Sequence, residues 1–468
     1  MTSVNIVRTY LKTPFLFLLV IEFGVIYGLV FSAAYIRFYA WEGYFERIAD
    51  TLWHGALTIA VITPVMMLAT GLYQGQIREG LAGILLRILI AFVASASLVL
   101  LIAYFVPQLW LGHEVLILIY LQSFFVIGTI RAVFLEVVDT STFKKRVLVY
   151  GAGKTAAQID SKLRRKSDRR GFDIVGYILI DDQELMVDES KLVDFGASLR
   201  SYSKEHNIDE IVVATSDVNR VLRIDDLVNC KLNGITILDI LSFFEREAGQ
   251  VRIDIMDPTW LVTSEGFQQS RLRDVIKRTF DIFSSLIVLV LTMPFILLTI
   301  IAIWIEDGFG APVFYSQIRV GKNGTHYKVY KLRSMRTDAE EVGKAVWASK
   351  NDSRVTRVGS FIRKSRIDEF PQLWNVLNGS MSFVGPRPER PQFVDELENE
   401  IPYYLERHLV KPGITGWAQL LYPYGSSVKD AYQKQLYDMY YVKNHSIFLD
   451  CLILLQTVEV ILFGKGAR

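Results

Sequence analysis

Cysteine is nearly missing from this chain: Cys230 and Cys451 are the only two in 468 residues, far apart and without metal-ligand spacing. That excludes a disulfide scaffold and a cysteine zinc site, and it fits a reducing compartment. Charge of one sign is also lacking, since 51 basic and 49 acidic residues leave a net +2. Such a balance gives no reason to expect a nucleic-acid partner. A cleavable leader is not expected either, because the first apolar segment is long, holds Glu22 inside it and is followed by no small-residue cleavage site. What the chain has in excess is apolar residues, 51% of the total with a mean hydropathy of +0.28. They are concentrated in the first 135 residues, in a block near 286–305 and in a short C-terminal stretch. The length allows two or three domains of about 100–200 residues each.

Four apolar segments open the sequence: Phe15–Ile36, Leu52–Tyr73, Leu85–Val106 and Val115–Leu135. Each is near the ~20 residues that cross a ~30 Å hydrocarbon core, so a four-helix transmembrane bundle over residues 1–143 is predicted. Basic residues set its orientation. Arg8 and Lys12 precede the first segment, Arg78 and Arg87 fall between the second and third, and Lys144, Lys145 and Arg146 follow the fourth. The positive-inside rule then puts the N-terminus and everything beyond residue 140 in the cytoplasm. Arg37 and Arg47 run against it, accompanied by Glu42, Glu46 and Asp50.

From Arg146 the pattern becomes a soluble α/β rhythm, with strand-like runs at Val147–Tyr150, Ile174–Ile180, Glu210–Ala214 and Thr236–Leu238. This predicts a doubly wound, Rossmann-like parallel sheet over residues 144–265. Its first turn, Gly151-Ala-Gly-Lys-Thr-Ala156, resembles the G-x-G-x-x-A fingerprint, whose glycines let the backbone approach a pyrophosphate. The acidic residue expected ~20 positions on is not well placed, because Asp181 and Asp182 come about 30 later. Gly151 and Gly153 are therefore either a nucleotide turn or a turn kept for packing in a scaffold or regulatory module.

The third region, 270–468, carries the chemistry. Leu286–Ile305 is uncharged and long enough to span. Yet Pro294 interrupts it, and basic residues flank both ends: Lys277 and Arg278 before, Arg319, Lys322 and Lys328 after. A broken helix over about 275–305 that dips into one leaflet and returns at Pro294 satisfies both facts. Downstream, Pro371 and the apolar Leu373, Trp374, Val376 and Leu377 read as the first turns of a helix, putting Asp368 and Glu369 near its N-terminus. An Asp there can be a plain cap. Arg363, Lys364 and Arg366 lie within five residues, however, with Arg354 and Arg357 slightly upstream. Cations beside a helix N-terminus bind phosphate, and a carboxylate in that field stays ionised as a nucleophile or a magnesium ligand. The loop Ser382–Arg390 contains Pro386 and Pro388, with Pro391 following, so Arg387 projects from a stiff backbone. Arg407-His408, Lys411–Gln419 and Tyr437–Asn444 add further polar motifs.

These stretches carry a resemblance. Lys277–Asp281, the apolar block broken at Pro294, Tyr330–Met335, Arg366–Glu369, Asn375–Leu377, Met381–Pro388, Lys411–Gln419 and Asp438–Lys443 together resemble the bacterial sugar transferases, the monotopic polyprenyl-phosphate phosphoglycosyl transferases. Four spans with a Rossmann-like insert look like the long members that prime exopolysaccharide synthesis. Pro388–Pro391, Tyr422–Gly425 and Gly464–Arg468 look like the subgroup associated with PEP-CTERM/exosortase loci. The resemblance implies an α/β catalytic domain on the cytoplasmic face of the bacterial inner membrane. Its partners would be a UDP-sugar, undecaprenyl phosphate and membrane lipid, with a homodimer and downstream glycosyltransferases to take the product.

It further implies that Asp368 is the nucleophile, attacking the β-phosphorus to release UMP, while Glu369 assists through Mg2+ held by both carboxylates. Lys331, Arg333, Arg363, Arg366, Arg387 and Asp438 would bind substrate. Small members often have Ser before the membrane proline, where this chain has Met293 preceded by Thr292. Two rivals remain open. One is a membrane-bound nucleotide-sugar dehydratase or epimerase, which needs a helical Tyr-x-x-x-Lys pair, and Tyr327–Lys331 alternates like a strand instead. The other is a glycosyltransferase that moves the sugar alone and releases UDP.

Overall fold

The computed structural model describes residues 13–38, 44–73, 81–138, 144–163, 169, 171–180, 183–196, 198–215, 224–264, 267, 271–336, 354–422, 425 and 427–463. Arg8, Lys12, Arg78, Asp181, Asp182, Pro423, Tyr424 and the ending Gly464–Arg468 lie outside them. Two compact units divide the chain, Thr2–Gly249 and Gln250–Arg468.

The first unit opens with α1 (Thr13–Phe38), α2 (Tyr44–Ala69), α3 (Leu81–Phe105) and α4 (His113–Val138). All four are long and apolar enough to cross a membrane. α1 packs on α2 and α4, and α3 packs on the same two. Several polar groups in this apolar setting are paired. Arg131 Nε lies 2.7 Å from Glu22 Oε1, Arg131 Nη1 donates to the Leu72 carbonyl at 2.6 Å, and the Tyr73 hydroxyl donates to Glu22. Two of the charges used to orient the bundle are not loop charges. Arg87 is buried inside α3, donating to the Thr70 carbonyl at 2.5 Å. Arg37, on the last turn of α1, pairs with Glu114 on the first turn of α4.

The rest of this unit alternates β1 (Lys145–Tyr150), α5 (Lys154–Lys162), β2 (Phe172–Ile178), α6 (Leu199–Glu205), β3 (Glu210–Val213), α7 (Ile224–Leu232), β4 (Thr236–Asp239) and α8 (Ile240–Ala248). The strands pair in parallel in the order β2-β1-β3-β4, as the sequence rhythm predicts. At the glycine turn, Gly151 has φ of 126° and a side chain there would meet the Ala214 carbonyl oxygen at 2.6 Å. The Ala152 amide donates to Gln183 Oε1 at 2.9 Å, and a Cβ on Gly153 would meet the Gln183 side chain at 2.7 Å. The turn's amide thus already has an acceptor from its own chain.

The second unit begins with a segment from Gln250 leading into α9 (Pro258–Thr263), earlier than the 265–270 boundary expected from sequence. α10 (Arg271–Asp307) follows and is helical throughout its 37 residues, with Pro294 inside. Thr292, two residues before it, donates its hydroxyl one turn back to the Val288 carbonyl at 2.8 Å, a bond that favours bending. Next come the antiparallel hairpin β5 (Phe314–Val320) and β6 (His326–Leu332), α11 (Arg357–Lys364) and α12 (Gln372–Leu377). They are followed by β7 (Ser382–Val384), α13 (Pro391–Glu400), β8 (Gly413–Thr415), α14 (Trp417–Leu421), α15 (Val428–Asn444) and α16 (Ile447–Phe463). β7 and β8 pair in parallel.

Both ends of α10 are fixed to this one unit. Near its start, Arg278 donates to the Val376 and Leu377 carbonyls at 2.5 and 2.6 Å, Lys277 pairs with Asp450 at 2.6 Å, and Asp281 accepts the Phe383 amide at 3.1 Å. At its end, Ile303 packs with Val313, Leu332 and Ile362. The stretch between is apolar and open, with Val290 72% and Leu298 64% exposed, a surface that water disfavours and lipid accepts. The chain is a membrane protein with α/β parts.

Candidate active site

The turn bearing the carboxylate pair is fixed from both sides. Thr356 caps α11 by accepting the Gly359 amide at 2.9 Å, while the Arg357 and Val358 amides donate to the Glu306 carboxylate at 2.8 and 2.9 Å. The end of α10 therefore supplies a cap for α11. Gly359 is obligatory here, since any side chain would collide with the Ser334 carbonyl oxygen. After α11, Arg366 adopts φ of 59°, which ends the helix and throws the chain into a 3-10 turn, Ile367–Glu369. Pro371 then occupies the N-cap position of α12 with no side-chain cap bond, so Asp368 is not serving as a cap.

Asp368 and Glu369 are both buried, and their surroundings push them apart. Glu369 Oε1 lies 3.0 Å from Lys331 Nζ, 3.5 Å from Arg387 Nη2 and 3.7 Å from Arg366 Nη1. Burial opposes its ionisation, but Lys331, Arg387 and Arg366 outweigh that and hold the carboxyl well below the usual carboxylate range. For Asp368 burial dominates and raises the carboxyl, Glu369 adds to the rise, and Lys331, Arg366 and Arg363 pull it back. Asp368 Oδ1 is buried with no hydrogen-bond partner among the described residues. One carboxylate is thus locked as a permanent anion, and its neighbour is left more basic and untied.

The other residues singled out by sequence divide into groups. Arg366, Arg387 and Lys331 converge on Glu369 as above. Arg363 reaches Ser334 Oγ through Nε at 2.8 Å and acts on Asp368 through its charge. Arg333 is turned toward the end of α10, with Nη2 2.7 Å from Asp307, and its buried Nε and Nη1 have no partner among the described residues. Asp438, on α15, pairs with Arg407 Nη2 at 2.7 Å, and burial pushes its carboxyl up to about 6 against the pull of Arg407. Arg407 also donates to the Tyr404 hydroxyl at 2.5 Å and to the Arg387 carbonyl at 3.1 Å, so it fixes the loop that presents Arg387. Pro294, Gly151 and Gly153 take no part in this cluster.

A cavity of about 490 Å3 opens beside the turn. Arg366, Glu369, Arg387, Arg407, Lys434 and Asp438 line its charged side, and Val288 of α10 with Leu373, Phe383 and Ile414 line its apolar side. Asp368, Lys331, Arg333 and Arg363 are not in its lining. Arg407 and Lys434 were not singled out from sequence as site residues; an Arg-His pair in an aperiodic stretch is the only hint of the first. Tyr327 and Lys331 both lie on β6, a strand, which is not the helical pair a dehydratase or epimerase needs.

The comparisons with known proteins bear on this geometry directly. The bacterial sugar transferase family matches residues 272–464. A UDP-N-acetylgalactosamine-undecaprenyl-phosphate N-acetylgalactosaminephosphotransferase of Aeromonas hydrophila is 43% identical over 242 residues, 52% of this chain and 56% of the relative. An undecaprenyl-phosphate glucose phosphotransferase of Komagataeibacter xylinus is 32% identical over 335 residues, 70% of this chain and 61% of the relative. The match thus spans somewhat over half the length of these two proteins. A UDP-galactose-lipid carrier transferase of Erwinia amylovora is 30% identical over 355 residues, 69% of this chain and 70% of the relative. With the carboxylate turn, its cations and the anchored α10 all inside the matched segment, this chain belongs to the bacterial sugar transferase family.

Proposed function

We propose that the protein transfers a hexose-1-phosphate from a UDP-sugar to undecaprenyl phosphate and releases UMP, the first membrane step of exopolysaccharide or glycoconjugate synthesis. The observation that carries this reading is the buried, unpartnered Oδ1 of Asp368 within the field of Lys331, Arg366 and Arg363. A basic carboxylate without a hydrogen bond is poised to attack, and surrounding cations attract the diphosphate it must reach.

In the first half-reaction an Asp368 oxygen forms a bond to the β-phosphorus, and the bond from that phosphorus to the bridging oxygen breaks. UMP leaves with the bridging oxygen, and the sugar phosphate stays on Asp368. In the second half-reaction a phosphate oxygen of the lipid attacks the same phosphorus, and the Asp368 carboxylate is expelled. Arg366 and Arg387 hold the phosphoryl oxygens, and Glu369 keeps these cations and Lys331 in position. The donor set suits Mg2+. Among the described residues no three His, Cys, Asp or Glu side chains gather as a cage, whereas magnesium usually takes one or two carboxylates with waters and substrate phosphates. Asp368 and Glu369 would hold it, and it would supply charge neutralisation on the diphosphate.

One substrate is lipid and the other water-soluble, so the site must stand at a membrane surface. Attachment of both ends of α10 to one unit, with the apolar stretch around Pro294 exposed between them, supports a helix that enters one leaflet and returns. α1–α4 would be the four spans, and the catalytic unit would face the cytoplasm of the bacterial inner membrane. Ala152 and Gln183 support a Rossmann-like domain that serves as scaffold without a nucleotide. The exosortase-associated subgroup and a homodimer complete the reading. The three relatives named above carry three different sugars, so the donor is left to experiment.

The deciding experiment incubates the protein with magnesium, undecaprenyl phosphate and a panel of UDP-sugars beside Asp368→Asn. UMP from the native protein and none from the variant is expected. UDP in place of UMP would mean transfer of the sugar alone.

A further inference from the structure

The segment ahead of α10 folds onto the catalytic unit rather than merely leading into it. Val251 and Ile253 are buried, and the Val251 amide donates to the Leu436 carbonyl, midway along α15, at 3.0 Å. Arg252, also buried, donates through Nε and Nη2 to Asp254 at 2.9 and 2.5 Å. Burial together with the neighbouring Asp254 charge pushes the Tyr432 hydroxyl up to about 12, so the two side chains stand close together. Further along, Trp260 of α9 lies under Lys443, with Nζ 4.0 Å from the ring centroid. The segment therefore grips α15 at residues 432, 436 and 443.

The cavity touches the same helix at Ala431, Lys434 and Asp438. At about 100° per residue these three share one face, and 432, 436 and 443 share another roughly 150° around the helix. One side of α15 thus borders open space, and the other rests on residues 250–263. The capping box of Ser427 and Asp430 secures the first turn only. Elsewhere α15 is held by Asp438 with Arg407 at 2.7 Å, by Gln435 donating to the Tyr403 carbonyl at 2.6 Å and by Tyr441 donating to the Val384 carbonyl at 2.9 Å. The backing shares with these contacts in deciding where Lys434 and Asp438 stand.

We infer that residues 250–263 are a strap that sets α15 against the substrate cavity, with Asp254, Tyr432 and Trp260 as positioning residues for the transfer proposed above, on which this inference rests. The strap acts through α15 on Asp438, through Asp438 on Arg407, and through Arg407 on the backbone of Arg387. None of the three positioning residues lines the cavity.

The test uses the full chain in lipid nanodiscs with UDP-N-acetylgalactosamine, UDP-glucose and UDP-galactose as donors and undecaprenyl phosphate as acceptor. Two quantities separate positioning from folding: KM for the donor, and the amplitude of the UMP burst without acceptor, which counts competent sites. Asp254→Ala is expected to raise the donor KM about 5- to 10-fold at unchanged burst amplitude, the signature of a displaced binding face. Asp254→Asn should recover part of the loss, and Trp260→Leu should shift KM in the same direction. An unchanged KM, or a burst that shrinks in step with activity, would overturn the strap. If Asp254→Ala does not accumulate, Tyr432→Phe, which keeps the ring, carries the same comparison under the same two criteria. Failure of the transfer itself shows separately, as no UMP from the native chain or full UMP from Asp368→Asn.

Discussion

Lys331 is the cation that both carboxylates of the turn share. It contacts Glu369 at 3.0 Å and is the largest charge influence lowering Asp368. Lys331→Met should raise both carboxyls, move the acid limb of the pH–rate profile for UMP release upward, and slow release at neutral pH by on the order of 10- to 100-fold. Asp438 makes a second, separable prediction. Its carboxyl is at about 6 in the folded protein, against roughly 3.9 when unfolded. Between those values the folded form holds more protons, so this group's contribution to stability falls as pH rises through that window. Activity moves the other way, because below about pH 6 Asp438 is neutral and Arg407 loses its partner. Asp438→Asn should lower the rate and flatten an acid limb near pH 6, measured by UMP release from pH 5 to 8. At this scale the sequence was most readable where motifs are contiguous: Arg366, Asp368 and Glu369 sit together on one turn, as their spacing implied, and Arg387 joins them from a distant loop. Arg407 was unreadable because its importance lies in contacts to Asp438 and Arg387, distant in the chain.

Among the elements, α10 depends most on one position. Pro294 has no amide to donate to the carbonyl one turn back, and Thr292 adds a competing bond to Val288. Pro294→Leu restores the ladder and should straighten the helix. Cysteines introduced at Arg271 and Gly310 would then react with a membrane-impermeant maleimide from opposite sides of sealed vesicles, where the native helix, re-entrant as proposed above, should expose both to one side. Gln183 offers a test within the parallel sheet domain. If its bond to the Ala152 amide only completes a scaffold, Gln183→Ala should leave UMP release within about twofold and change thermal stability by ~1 kcal/mol. Long elements were legible from sequence because periodicity accumulates over many residues: the four apolar helices and the parallel strands fall close to their predicted places. The three-residue strands β7 and β8 carry no period at all. From sequence, residues 250–257 fall with the sheet domain 144–265, since burial of Val251, Arg252 and Ile253 is decided by the helix they meet.

Across the whole molecule, the N-terminal bundle holds its charges in pairs: Glu22 with Arg131, and Arg37 with Glu114. Buried charge in a membrane is tolerated only with a partner, so Arg131→Leu should leave Glu22 unpaired and cost on the order of 3–5 kcal/mol, read as lost accumulation in membranes. The reciprocal Glu22→Leu, Arg131→Leu double variant should recover most of it. The second unit ties its own apolar helix to the carboxylate turn. Glu306, at the end of α10, accepts the first two amides of α11, and α11 leads within a few residues to Asp368. One carboxylate therefore belongs both to the apolar helix α10 and to the scaffold of the Asp368–Glu369 turn. If α10 enters one leaflet as proposed, bilayer thickness should become a rate-determining variable: a membrane or micelle of the wrong depth would draw Glu306 away from α11 and leave a folded, inserted protein whose carboxylate turn is out of register.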